Sequence, residues 1–85
     1  MQLEDYFDFH APLDIRVKGT RIGIETLLMD YLDEKLTPEQ IASQYPGLTL
    51  EQVYATLLYY LHNREQVEEV RGVQLAKGAG ELVTA

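Results

Sequence analysis

Thr49-Leu50-Glu51-Gln52-Val53-Tyr54-Ala55-Thr56-Leu57-Leu58-Tyr59-Tyr60-Leu61-His62-Asn63 is the stretch that decides the fold. Leu50, Val53, Tyr54, Leu57, Leu58 and Leu61 recur at the three- and four-residue steps of an α-helix. Thr49 is a good N-cap, and Gln52 stands three residues on, where a capping box needs it. The spacing predicts a helix over 50–62 with that stripe in the core and Leu57 and Leu58 at its centre. Gln52, Ala55, Thr56, Tyr59 and Asn63 then face outward. Arg64 and Glu65 take the next apolar slots, and Asn63 with Gln66 repeats the capping pattern, so a bend or short fourth helix should cover roughly 64–70.

Working towards the N-terminus, Thr37-Pro38-Glu39-Gln40 carries the same signal, with Pro at the first helical position. A short helix over 38–44 should end at Tyr45-Pro46-Gly47, with Ile41 and Ala42 inward. A helix over about 24–34 is expected before it, with Ile24, Leu27, Leu28, Tyr31 and Leu32 on one face. Leu13-Asp14-Ile15-Arg16-Val17-Lys18 alternates as a half-buried strand does, and Tyr6–His10 is a second, aromatic-rich strand candidate. Ala11-Pro12 suits the turn between them. The fold class is therefore mainly α: a small helix-turn-helix-like domain with a short N-terminal β-hairpin or strand pair. Residues 1–72 form a single domain, and residues 73–85, with Gly78 and Gly80, read as a flexible tail.

Composition narrows the function classes. At 85 residues the chain is one domain, and 46% hydrophobic residues suffice for a core. There is no cysteine, hence no disulfide and no thiolate. Met1–Asp8 is acidic and lacks a signal peptide's basic start, and no apolar run is long enough to cross a membrane, so cytoplasmic location is the expectation. The net charge of −7 argues against nucleic-acid binding as the main task of a lone monomer and suits a basic protein partner. His10 and His62 are far apart in sequence, and Ser43 has no adjacent base, so neither a metal site nor a nucleophile is expected. Asp30, Asp33 and Glu34 read as carboxylates solvating a helix end. No catalytic residue, metal or cofactor is assigned, and the expectation is a non-enzyme.

Two helices joined by a short turn, the second longer, have the layout of a DNA-reading pair. Arg16, Lys18 and Arg21 place three of the seven cations within six positions and suit phosphates. Gln52 and Thr56 on the outward stripe suit base edges. That stripe has no Lys or Arg, which favours protein contact through Tyr59, Tyr60 and Asn63. A homodimer is expected, through the N-terminal strand edge or the third and fourth helices.

The order of motifs carries a resemblance. Lys18-Gly19-Thr20-Arg21-Ile22 precedes a helix, Tyr45-Pro46-Gly47-Leu48 forms a turn, and Leu58-Tyr59-Tyr60 sits in the following helix. Over about Ile15 to Val70 the chain resembles the bacterial family called domain of unknown function 433. The resemblance implies a helix-turn-helix-like, VapB-like antitoxin. Such a protein binds and silences a PIN-like ribonuclease toxin and, as a homodimer, its own operator DNA. A stand-alone DNA-binding transcriptional regulator and a structural protein-interaction module are the alternatives.

Overall fold

The computed structural model describes residues 1–73. A 3-10 turn, Leu3–Tyr6, leads into strand β1 (Phe7–Ala11), and strand β2 (Asp14–Val17) returns antiparallel to it. Phe7 pairs with Val17 and Phe9 with Ile15, and the register shifts between Phe9 and Ala11. Alternation places Ile15 and Val17 fully inside while Asp14 and Arg16 remain half-buried. A lone hairpin is marginal in water. Here Phe7 and Ile15 are secured in the main helical core.

Helix α1 (Ile24–Leu28) runs into a π-helical turn, Met29–Asp33. This corrects the expected single face. Tyr31 lies at the surface and Asp30 takes the buried place. The cause is the extra residue in the turn: the Glu34 amide donates to the Met29 carbonyl, five residues back. Lys35 then adopts a left-handed conformation (φ 60°), and its ammonium group donates to the Leu32 carbonyl at 2.8 Å.

Helices α2 (Pro38–Gln44) and α3 (Leu50–His62) have the bounds their caps predict. Each threonine hydroxyl accepts from the glutamine amide at 3.1 Å, and each glutamine side chain accepts from the threonine amide at 2.8 Å. Thr37→Ala and Thr49→Ala should each cost about 1 kcal/mol and the double variant about 2, read by denaturant unfolding. A double-variant loss no larger than either single one would show that the two caps are not independent. A fourth helix, α4, covers residues 64–73 and so is longer than expected. From residue 74 onward the expected tail lies outside the described residues.

The face that α3 buries is the main correction. Val53, Ala55, Thr56, Tyr59 and Tyr60 are buried, whereas Leu50, Tyr54, Leu58 and Leu61 are exposed and Leu57 is half-buried. The small Ala55 and Thr56 let neighbouring elements approach closely, and the two tyrosine rings fill the remaining volume. Rings bury more area than leucines, and their hydroxyls can still reach polar partners. The Tyr59 hydroxyl donates to Gln66 and the Tyr60 hydroxyl to Glu68, which fastens α4 to α3. Gln66 is thereby drawn away from the expected box with Asn63. The Asn63 amide donates instead to the Tyr59 and Tyr60 carbonyls.

The core has two lobes. In the larger, Phe7, Ile15, Ile24, Leu28, Ala55, Tyr59 and Tyr60 meet Val67 and Val70 of α4. In the smaller, Val17 and Leu27 meet Ile41, Leu48 and Val53, which seats α2. No helix among the described residues is long and apolar enough to cross a membrane.

Candidate interaction surfaces

The basic cluster lies along β2 and the turn after it. Gly19 adopts φ 76°, a conformation open to glycine, and its amide donates to the Asp8 carboxylate at 3.0 Å. The Thr20 hydroxyl donates to the Val17 carbonyl at 2.8 Å and accepts from the Ile22 amide at 3.0 Å. A Cβ at Gly23 would meet the Glu25 carboxylate, the far end of a flexible side chain that would have to swing aside. Burial pushes the Glu25 carboxyl above its ordinary value. This turn carries Lys18 and Arg21 into solvent. Arg16 is differently placed: its guanidinium grips Asp14 through two hydrogen bonds of 3.0 and 2.9 Å. Arg16 and Arg21 line one surface cleft and Lys18 another, beside Thr49 and Glu51, and Arg16 is already engaged by a carboxylate.

The residues expected on the outer face of α3 are differently placed. Thr56 is 1% exposed, and its hydroxyl donates to the Gln52 carbonyl at 2.9 Å. Gln52 is half-buried with its side chain held in the cap. Tyr59 and Tyr60 are buried, so neither is a surface anchor in this structure. Asn63 is half-buried, and its side-chain amide donates to the Tyr59 carbonyl at 3.1 Å. The surface of α3 belongs to Leu50, Tyr54, Leu58 and Leu61, flanked by Glu51 and His62. Sequence reading assigned the apolar residues of this helix to the interior and missed this face. The signal was present, because α3 is apolar nearly all the way round, and such a helix tends to be covered on every side.

Asp30 is the other residue whose role changes. It is 7% exposed and accepts a hydrogen bond from the Tyr45 hydroxyl at 2.7 Å, so it does not solvate the helix end. That bond, with burial and the Asp30 charge, pushes the Tyr45 hydroxyl from 10.0 up to about 12. The raised value stabilises the fold fully below pH 10, and that contribution is lost as pH rises towards 12, because the unfolded chain ionises first. Tyr45→Phe should therefore unfold less steeply than the wild type over that alkaline window, as followed by circular dichroism. Identical alkaline slopes would show that the bond does not persist in solution. Asp33 accepts from Arg71 at 3.0 Å, which ties α4 to the π turn. Among the described residues no group of three or more His, Asp or Glu side chains could hold a metal ion.

The pattern of the family described as "Protein of unknown function (DUF433)" matches residues 14–60, more than half of the chain. The chain belongs to the DUF433 family. No curated protein and no solved structure gives a significant match. The residues that carried the DUF433 resemblance mostly build the fold. Gly19 and Thr20 form the turn after β2, Tyr45 holds Asp30, Leu48 is core, and Tyr59 and Tyr60 pack α3 against β1 and α4. The exposed side chains among them are Lys18 and Arg21 in the first motif, Pro46 in the second, and Leu58 beside the tyrosine pair.

Proposed function

We propose that the chain is an antitoxin-like regulatory protein that acts by binding other proteins, its toxin partner being a PIN-like ribonuclease. The observation that carries the protein-binding part is the outward face of α3. Four large apolar side chains stand there in one row, and exposed patches of this kind mark interaction sites. The net charge of −7 complements a basic nuclease. The toxin's identity rests on the DUF433 resemblance, and a cytoplasmic location is part of the same proposal. The test is co-expression with the product of the adjacent gene. A complex that co-purifies at moderate salt supports the reading, while a neighbour that is no nuclease, or the absence of any complex, overturns it.

Operator DNA is the weaker, second role in this proposal. It is supported by Lys18 and Arg21, which are exposed in the turn after β2. It draws no support from the surface of α3, where Glu51 lies among leucines and no Lys or Arg is present. Contact would thus be made to phosphates, with a salt slope of about −0.9 per phosphate neutralised. Replacing Arg16, Lys18 and Arg21 together by alanine should abolish binding to an upstream fragment on all sequences alike. Unchanged affinity in that variant would remove the cluster from the account.

A further inference from the structure

We infer that the outward face of α3 is the contact surface of a two-fold homodimer, in which two copies of the helix pack antiparallel. This deepens the protein-binding reading and rests on it: the immediate occupant of the face is a second copy of this chain, and the toxin is bound by the dimer so formed and not by the same row of a lone copy.

The argument begins with the helix itself. At 100° per residue, Leu50, Leu61, Tyr54 and Leu58 fall within an arc of about 80°. Between Leu50 and Leu61 the row is about 16 Å long. Their exposures are 41, 65, 49 and 46%. With about 200 Å² for a large side chain, the row offers about 400 Å² of apolar surface. A standard interface takes about 800 Å² from each partner, a little over half of it apolar. The row therefore has about the area of an apolar interface centre, and it is contiguous along one face of the helix.

Its distribution is self-complementary. A two-fold interface must pair each residue with a second residue of the same patch. With the axis passing beside position 56, Leu50 meets Leu61 of the second copy and Tyr54 meets Leu58. Glu51 and His62 lie along one edge of the arc, at opposite ends of α3. A two-fold axis normal to the plane of two antiparallel helices returns that edge to the same side. Glu51 of each copy then stands beside His62 of the other, twice per dimer. Glu51 is oriented by the Tyr6 hydroxyl, which donates to its carboxylate. The carboxylates that give the chain its charge stay outside the apolar arc. Their general repulsion weakens with added salt, so the dimer should tighten as salt rises.

The test uses the full chain and light scattering over about 1–100 μM. The expected mass is twice 9.7 kDa. Leu58→Glu should raise the dimer dissociation constant about 100-fold while leaving the circular dichroism spectrum unchanged. Glu51→Arg should weaken the dimer by removing the acceptor that stands beside His62 of the other copy, and adding His62→Glu in the same chain should restore it through Arg–Glu pairs across the axis. A wild type that remains at 9.7 kDa overturns the inference, and so does a dimer indifferent to Leu58→Glu. The two readings fail separately. A monomer that captures the neighbouring gene product through Leu58 ends the dimer and keeps the protein-binding function. A Leu58-dependent dimer that captures no neighbour keeps the dimer and ends the antitoxin.

Discussion

Tyr59→Ala should cost about 3–5 kcal/mol in a denaturant melt. The ring is 4% exposed, and its centre lies 5.0 Å from that of Phe7 and 6.1 Å from that of Phe9. Removing it opens a cavity where β1 meets α3 and unhooks Gln66 of α4. A domain of this size has only about 4–12 kcal/mol of net stability, so the variant should lose much of it. Tyr54→Ala, five positions earlier on the same helix, should change the stability of a single copy by no more than about 0.5 kcal/mol, because that ring faces solvent. Measured at a concentration where dimers do not form, the pair reads out directly which face of α3 is inside. Equal losses would mean that the face is misassigned.

Ile41→Ala should cost about 2–5 kcal/mol. Ile41 is the fully buried residue of α2 and joins Val17, Leu27, Leu48 and Val53 in the smaller lobe. Few other apolar groups hold α2, so its loss should loosen the α2–α3 pair ahead of the hairpin. Hydrogen exchange would show this as faster amide exchange in residues 38–44 than in β2. A loss below about 1 kcal/mol would mean that α2 is seated by its cap and not by its core contact.

Local chemistry was the legible part of the sequence. The threonine and glutamine caps fix where α2 and α3 begin, because a capping box involves residues only three apart. The alternation of β2 likewise identifies Ile15 and Val17 as buried. What could not be read was decided between elements. Leucine is the commonest residue on α3, yet the tyrosine face is the one that meets Phe7, Val67 and Val70. Period alone cannot choose between two apolar faces of one helix. The π turn is illegible for a similar reason, since Asp30 turns inward to meet Tyr45, fifteen residues away. These two shifts move the candidate site: Thr56, Tyr59 and Tyr60 go into the interior, and Leu50, Tyr54, Leu58 and Leu61 become the surface to test.

The most direct measurement is a ribonuclease assay of the neighbouring gene product with increasing amounts of this chain. The account predicts that activity falls to background near equimolar addition, and that Leu58→Glu, folded but altered on the outward face of α3, silences it poorly. Full ribonuclease activity in the presence of excess wild-type chain would contradict it.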